Sequence, residues 1–245
     1  MKPLVTEEVY RVRYYELKND WKASISSIMD YFNDVVTLQT VQIGHGVDVM
    51  SRGEYAWLLL RWEIRVDRYP DYMESVVVRT VPHSMDRYYA YRRFEIHDTS
   101  GACIVEADSQ WILIDQKKRR PVRIGEEFYR RYGVDTDFHQ PLSFTKIPEP
   151  EAADREVSLR VRQSDLDTNG HSNNVSYVKW IIETVPKEIE NRHLRRLAIR
   201  YIHESRRDDE VVITGTFRKC SNFVEGMHRI SNGERLLTLA RTEWI

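Results

Sequence analysis

The amino-acid sequence predicts an α+β fold in which two tandem copies each pack one long helix on a curved antiparallel sheet. Each half of the 245-residue chain reads as a strand, an amphipathic helix and then several strands. The second half repeats the order of the first, which indicates an internal duplication. Neither half offers a second helix for the crossovers of a parallel sheet, so an antiparallel sheet covered by the one helix is the economical arrangement.

The first copy opens with the alternating stretch VYRVRYYEL, which is typical of a strand. In the next segment Ile25, Met29, Phe32 and Val36 recur at helical spacing, with polar residues on the other faces. This pattern predicts an amphipathic helix of about four turns. Strand-like runs follow, and the sequence DTSG at 98–101 is a signal for a hairpin turn.

The second copy has the same order. EVSLRVRQSDLD predicts a strand, and a helix follows that should end at Pro186. The apolar face of this helix is predicted to consist of Val175, Val178, Ile181, Ile182 and Val185. The last two strands, MHRISNGERLLTLARTEWI, mirror RFEIHDTSGACIVEADSQWIL of the first copy, with a turn at SNGE. This match is the clearest evidence for the duplication.

The domain boundaries follow from the repeat. Residues 1–130 are predicted to form the first copy and residues 156–245 the second copy. The segment 131–155 between them is rich in Pro, Asp and Glu, as a linker would be. A helix whose apolar stripe is wrapped by a curved sheet is the hotdog arrangement, so the chain should be a double hotdog. A monomer and a further homodimer are both compatible with it.

Composition excludes several classes of function. Apolar residues make up 41% and charged residues 31% of the chain, and the net charge is -1, so there is no global electrostatic case for binding nucleic acid or a membrane. No apolar run approaches the ~18 residues of a membrane span. The first residues resemble neither a signal nor a transit peptide. Cys103 and Cys220 lie in strand-like runs and are expected to be small buried hydrophobic residues, which fits a cytoplasmic protein.

The stretch SDLDTNGHSNNVSYVKW, from Ser164 to Trp180, is unusually polar for the start of a helix. Its small polar residues and single histidine are Asp165, Asp167, Asn169, His171, Asn173 and Asn174. Helix capping by Ser172 or Asn173 needs one such residue rather than six. A metal site with Asp167 and His171 lacks further ligands at suitable spacing. The functional interpretation places Asn169 and His171 at a helix N-terminus, which favours a developing oxyanion.

A second polar segment, YIHESRRDDE at 201–210, interrupts a strand that should stay apolar on one face. The interrupting residues are His203, Glu204 and Ser205. At the same point the first copy has Val66, Asp67, Arg68 and Tyr69. The two copies therefore share a frame but differ in chemistry. This predicts that the second copy (156–245) is the catalytic copy and that the first copy (1–130) supports or binds the substrate.

These two segments carry a resemblance to a known family. DTNGHSNNVSYVKW resembles the D-x-N-x-H-x-N-N-x-x-Y-x-x-W signature of the plant and bacterial acyl-acyl-carrier-protein (acyl-ACP) thioesterases, and RYIHESRRD resembles their Y-x-x-E-C-x-R-D segment. Segments of the first half also match, so the resemblance covers nearly the whole chain. It implies an enzyme that hydrolyses the thioester of fatty acyl-ACP, without cofactor or metal. The catalytic residues that it implies are Asp167, Asn169, His171 and Glu204.

Where many members of the family have Cys after the glutamate, this sequence has Ser205. A thiolate mechanism is therefore excluded by this match, which favours Glu204 as general base or as nucleophile. Asp167 is expected to orient Asn169 and His171. Since acyl carrier protein is acidic, basic residues near these segments are candidates for its docking face. These residues are Arg192, Arg195, Arg196, Arg206 and Arg207.

Three alternatives remain open at the level of sequence. The first is a thioesterase that acts on coenzyme A esters. The second is a hotdog hydratase or dehydratase, although such enzymes commonly have Asn-Pro between the Asp and His, where this chain has Gly170, and would leave Glu204 without a task. The third is a non-enzymatic acyl-binding module, which would not need the four polar residues together.

Overall fold

A computed structural model describes residues 2–44 and 55–245 of the chain. The chain forms two compact units. Unit 1 comprises Met1–Leu60 and Val66–Ser143, and unit 2 comprises Arg61–Arg65 and Phe144–Ile245. The expected linker at 131–155 is thus divided between the two units.

The described residues of unit 1 include a long helix, a short helix and the strands of an antiparallel sheet. Its elements are β1 (Thr6–Arg11), α1 (Ile25–Gln42), β2 (Tyr55–Val66, of which Arg61–Arg65 belong to unit 2), β3 (Ser75–Met85), β4 (Tyr89–His97), β5 (Cys103–Asp115), β6 (Arg120–Pro121) and α2 (Glu126–Tyr132). The strands β1, β3, β4 and β5 are neighbours in that order, and β6 pairs with β5.

Helix α1 confirms the predicted amphipathic helix, but its 18 residues make about five turns rather than four. Ser24 caps it, since its Oγ accepts a hydrogen bond from the N–H of Ser27 at 3.1 Å. Its core-facing side includes Phe32, which is fully buried and lies 5.0 Å from the ring of Phe94 on β4. In the last turns Val35 rather than Val36 is fully buried. Both positions are compatible with a 3.6-residue period, so the sequence could not choose between them.

Unit 2 repeats this organisation. Its elements are β7 (Arg155–Arg160), α3 (Asn174–Ile182), α4 (Lys187–Glu190), β8 (Leu194–Tyr201), β9 (Glu210–Lys219), β10 (Val224–Asn232) and β11 (Arg235–Trp244). The strands follow the order β8, β11, β10, β9 and β7, and Arg61–Arg65 of β2 pair with β8. Both predicted hairpin turns are present, with Gly101 and Gly233 at the positive φ that they require.

Two sequence-based expectations are wrong. Helix α3 ends at Ile182, and Pro186 caps the short α4 instead of ending α3. The residue before a proline is disfavoured in helical conformation, so the chain leaves the helix earlier. The cysteines are free thiols, but Cys103 is exposed and Cys220 is only partly buried. Cys103 begins β5 and Cys220 follows the end of β9, where the sheet no longer covers alternate side chains.

Residues 133–154 contain no helix or strand, yet hydrogen bonds hold this segment to each unit. In unit 1, His139 Nδ1 lies 2.9 Å from the carbonyl oxygen of Met85. In unit 2, Thr145 Oγ1 donates to Glu63 Oε1 at 2.7 Å. In the described part of the chain, no helix has the length and apolar character needed to cross a membrane.

Candidate active site

The turn before α3 is organised by Asp167. Its Oδ1 accepts hydrogen bonds from the N–H groups of Asn169 (2.8 Å) and His171 (3.1 Å), and its own N–H donates to the His171 carbonyl at 2.7 Å. Gly170 has a φ of +77°, a left-handed conformation that glycine adopts without strain. Asp167 therefore holds the backbone of both predicted site residues, as the sequence interpretation expected.

Capping explains two other polar residues of this stretch. Asn173 is the N-cap of α3, and its Oδ1 accepts from the N–H of Val175 at 2.9 Å. The carbonyl oxygen of Asp165 accepts from the N–H of Asn173 at 2.8 Å and from the Ser176 hydroxyl at 3.0 Å. Asp165 and Asn173 thus fix the turn against the helix.

The structure brings His171 and Glu204 together although they lie far apart in the sequence. His171 Nε2 is 3.5 Å from Glu204 Oε2, and both side chains are partly exposed, at 26% and 39%. The backbones also meet: the N–H of Ser172 donates to the Ser205 carbonyl at 3.0 Å, and His171 bridges to Arg206. Asn169 is exposed, and its amide nitrogen is 3.5 Å from Asp167 Oδ2. The four predicted residues therefore form one surface site.

Most backbone donors at the start of α3 are already used. From Asn169 to Ser176, each N–H group donates to an acceptor in this turn or to Ser205, except that of Asn174. That N–H has no acceptor among the residues that the structure describes. The sequence predicted that backbone N–H groups at this helix start could bind an oxyanion, without saying which one. The hydrogen bonds of the turn leave the Asn174 N–H as the candidate donor.

Beneath the His171–Glu204 pair lies a buried cluster of hydroxyl groups that sequence reasoning missed. Ser205 is fully buried, and its Oγ is 2.8 Å from Ser172 Oγ and 3.0 Å from the Tyr177 hydroxyl. The N–H of Ser205 donates to the Tyr177 hydroxyl at 2.9 Å. Burial raises the pKa of Tyr177 above its ordinary value. The signal was available, because Tyr177 is the tyrosine of the quoted signature.

The duplication allows a comparison of the two copies atom by atom. The bridges Leu17–Ala23 and Leu166–Ser172 correspond, and the bond from Ala23 N–H to the Pro70 carbonyl (2.9 Å) matches that from Ser172 to Ser205. These matched bonds fix the alignment of the two copies: residues 11–28 correspond to residues 160–177, and residues 65–76 correspond to residues 200–211.

At the positions of the site, the first copy has different chemistry. Lys18, Lys22 and Tyr69 stand where the second copy has Asp167, His171 and Glu204. Lys18 Nζ lies 5.3 Å from the centre of the Tyr69 ring, and Lys22 pairs with Asp71 at 2.6 Å. The first copy therefore keeps the frame of the site without its acid and imidazole groups. That the second copy catalyses stays a prediction from the sequence.

A metal centre has no support in the described ranges. No three His, Cys, Asp or Glu side chains converge there as metal ligands would. One oxygen of Asp167, which was considered as a ligand, accepts two backbone N–H groups instead.

Comparison with known proteins identifies the family. The model of the acyl-ACP thioesterase N-terminal domain matches residues 3–132, and that of the acyl-ACP thioesterase C-terminal domain matches residues 148–245. The chain belongs to the acyl-ACP thioesterase family. The predicted α+β double hotdog is thereby confirmed, since the solved 12:0-ACP thioesterase from Umbellularia californica matches all of this chain and 98% of its own, with a TM-score of 0.83 and 26% identity.

Curated relatives in the family come from plants. The oleoyl-acyl carrier protein thioesterase 2 of Arabidopsis thaliana is 29% identical over 84% of this chain. The palmitoyl-acyl carrier protein thioesterase of the same plant is 29% identical over 98% of it. The aligned regions cover 61% and 64% of these two relatives, so the chain spans less than two thirds of their length.

Proposed function

We propose that this member of the acyl-ACP thioesterase family hydrolyses the thioester of fatty acyl-ACP to a free fatty acid and holo-ACP, and so terminates or diverts fatty acid synthesis. The observation that carries the proposal is the contact of 3.5 Å between His171 Nε2 and Glu204 Oε2. It occurs in the copy that keeps these groups, in a family whose relatives are named for oleoyl- and palmitoyl-ACP. A cytoplasmic location and a monomer or homodimer stay predictions from the sequence.

The contact supports Glu204 as the general base. The carboxylate takes a proton from water as the water oxygen attacks the thioester carbonyl carbon, which gives a tetrahedral oxyanion. Collapse of this intermediate breaks the C–S bond. The pantetheine thiolate leaves with a proton from the imidazolium of His171, which becomes the neutral imidazole. Glu204 returns its proton to His171 across the same contact. A nucleophilic Glu204 would instead attack the thioester carbonyl carbon itself and form an acyl-enzyme anhydride that water then opens.

The oxyanion requires hydrogen-bond donors that are not already used. The Asn174 N–H at the start of α3 is such a donor, and the helix dipole adds positive potential there. The amide of the exposed Asn169 supplies a second donor. A single donor of this kind typically contributes about 10²–10³-fold in rate.

The proposal predicts release of a free thiol from acyl-ACP. A panel of acyl-ACP substrates of graded chain length and saturation is incubated with the protein, and free thiol and fatty acid are measured. We expect both products in equal amounts. A dehydratase or hydratase would leave the thioester intact, and a binding module would give no product. A parallel panel of acyl-coenzyme A esters, with activity only on that carrier, would replace the proposal with the coenzyme A alternative.

The carrier protein is expected to dock on the arginines beside the site. The backbone of Arg206 forms a β-bridge with His171, and the next residue, Arg207, is exposed. Because acyl carrier protein is acidic, the double substitution Arg206→Glu/Arg207→Glu should raise KM for acyl-ACP by about tenfold, as the loss of about 1.4 kcal/mol would. It should leave KM for an uncharged pantetheine thioester unchanged.

The second pair of candidate arginines is tested in the same way. Arg195→Glu/Arg196→Glu reverses two charges on β8, where Arg196 already lies 3.7 Å from Glu243. If both double variants raise KM for acyl-ACP, the face includes all of these arginines. If neither does, the carrier docks elsewhere.

A further inference from the structure

We infer that four hydroxyl groups beneath the catalytic pair, those of Ser172, Tyr177, Tyr201 and Ser205, form a brace that holds Glu204 against His171. We call this set the hydroxyl brace. Its members are positioning residues, and none is proposed to act on the substrate. The inference rests on the proposed function, because it assigns the geometry of that reaction to residues outside the site.

The first part of the brace is Ser205, which follows Glu204 directly. Its N–H donates to the Tyr177 hydroxyl at 2.9 Å, and this N–H belongs to the peptide bond that leaves Glu204. Its carbonyl accepts from the N–H of Ser172, the residue after His171, at 3.0 Å. The N–H of Ser205 is therefore bonded to helix α3, and its carbonyl is bonded to the turn that carries His171.

The side chains tighten the same connection. Ser205 Oγ lies 2.8 Å from Ser172 Oγ and 3.0 Å from the Tyr177 hydroxyl. Ser172 and Tyr177 are 6% and 2% exposed, and Ser205 is fully buried. Because water does not reach these groups, breaking one of their hydrogen bonds leaves a polar atom without a partner, which costs more than the same loss at a surface.

Tyr201 extends the brace to the start of helix α3. It is the last residue of β8, and its hydroxyl donates to the Asn174 carbonyl at 3.0 Å. Its ring meets that of Tyr177 edge-on, with centroids 5.7 Å apart. The end of the strand that leads to Glu204 is thereby tied to the residue whose N–H is the candidate oxyanion donor.

The first copy shows that the fold does not require these hydroxyls. By the alignment of the two copies, the corresponding residues are Ala23, Ile28, Val66 and Pro70. All four are apolar and buried, and the backbone bond between Ala23 and Pro70 is kept. The hydroxyl brace therefore occurs only in the copy that has the His171–Glu204 pair, which links it to the site rather than to the stability of the fold.

Ser205 is thus excluded as a nucleophile. Its Oγ is buried and shared between two hydroxyl partners, while the groups assigned to catalysis are partly exposed. Its effect on the reaction comes through the position of Glu204. Displacement of a catalytic group by about 1 Å can cost ~10²-fold in rate, so small movements of this segment matter.

The test is Tyr177→Phe, which removes the hydroxyl and keeps the ring. We expect kcat for acyl-ACP hydrolysis to fall about tenfold or more, with KM unchanged. The nitrogen resonance of His171 Nε2 should also shift, since the carboxylate that faces it moves. Ser205→Ala should lower kcat less than Tyr177→Phe does, because the N–H that bonds Tyr177 remains.

Tyr31→Phe is the matched control. Tyr31 is buried in unit 1, and its hydroxyl donates to Glu16 Oε2 at 2.7 Å, so the substitution removes one hydroxyl hydrogen bond, whereas Tyr177→Phe removes two. It should lower Tm and leave both kcat and the His171 resonance unchanged. The inference is overturned if Tyr177→Phe lowers Tm but leaves kcat and this resonance as in the unsubstituted protein, or if Ser205→Ala abolishes activity. Absence of hydrolysis by the unsubstituted protein would overturn the proposed function instead, and the resonance would still test the hydroxyl brace.

Discussion

Replacing Glu204 with glutamine is expected to lower kcat for acyl-ACP hydrolysis by about 10²–10⁴-fold, the range of a general base. Glutamine keeps the size and planarity of the side chain but cannot take a proton from water. The contact of 3.5 Å with His171 Nε2 would also lose its charge. KM should change little, because the substitution removes an interaction with the transition state rather than with bound substrate. Steady-state hydrolysis of the best acyl-ACP of the panel measures both constants.

The control for this variant is Glu210→Gln. Glu210, the first residue of β9, is also a carboxylate of unit 2, but its side chain is 79% exposed and forms an ion pair with Arg160. Its substitution should leave kcat within about twofold, since exposed ion pairs contribute little. Near-full activity of Glu204→Gln would show that the base has been assigned wrongly.

Isotope labelling in a single turnover detects a nucleophilic Glu204 whose anhydride is opened by water at the glutamyl carbon. A single turnover in ¹⁸O-labelled water should place the label in the released fatty acid and leave Glu204 unlabelled. Label in the Glu204 carboxylate would require an acyl-enzyme anhydride opened by water at the glutamyl carbon. That result would keep the residue and change its role.

The sequence predicts the frame of this site well because the frame is local or repeated. The cluster of small polar residues and the family signature place Asp167 and His171 just before α3. The meeting of His171 with Glu204 follows from the family resemblance, and the structure supplies its geometry. The periodic pattern likewise finds α1, whose burial follows from its apolar stripe.

What the sequence does not provide depends on contacts between distant segments. Ser205 reads as a substitution for cysteine, and only the fold shows that its backbone and side chain both bond Tyr177. The sequence left Ser172 and Asn173 as alternative N-caps; Asn173 takes that role, and the Ser172 hydroxyl contacts Ser205 instead. Which N–H at the helix start lacks an acceptor also depends on how the turn closes. These details follow from tertiary packing, which propensities do not encode.

A buried histidine in unit 2 is expected to make the protein sensitive to acid. His228 is fully buried, and desolvation lowers its pKa to about 3. Nδ1 lies 3.3 Å from Thr184 Oγ1, whose own proton goes to the Ile181 carbonyl. Nε2 lies 2.8 Å from Thr242 Oγ1. These partners suit a neutral ring that donates from Nδ1 and accepts at Nε2.

The sign of the effect follows from proton binding in the two states. The unfolded chain protonates this histidine below its ordinary pKa of about 6.5, whereas the folded protein does not until about pH 3. Above pH 6.5 neither state binds the proton, and stability is unaffected. Between pH 6.5 and 3 the unfolded state binds more protons, so the free energy of unfolding falls by about 1.4 kcal/mol per pH unit. From pH 7 to 4.5 this loss is about 2.5 kcal/mol, a large part of the 5–15 kcal/mol typical of folded proteins.

His228→Gln should remove this dependence, because glutamine can donate to Thr184 and accept from Thr242 without titrating. Urea unfolding between pH 4.5 and 7, followed by far-UV circular dichroism, measures the slope. The variant should lose less stability on acidification than the unsubstituted protein. Its stability at pH 7 should be lower, because glutamine does not fill the place of the imidazole ring as closely as histidine does. His139→Gln, which removes a histidine of unit 1, should keep the steep slope. Equal slopes for His228→Gln and the unsubstituted protein would mean that His228 takes up its proton in the folded state, and that its position between Thr184 and Thr242 accommodates a charged ring.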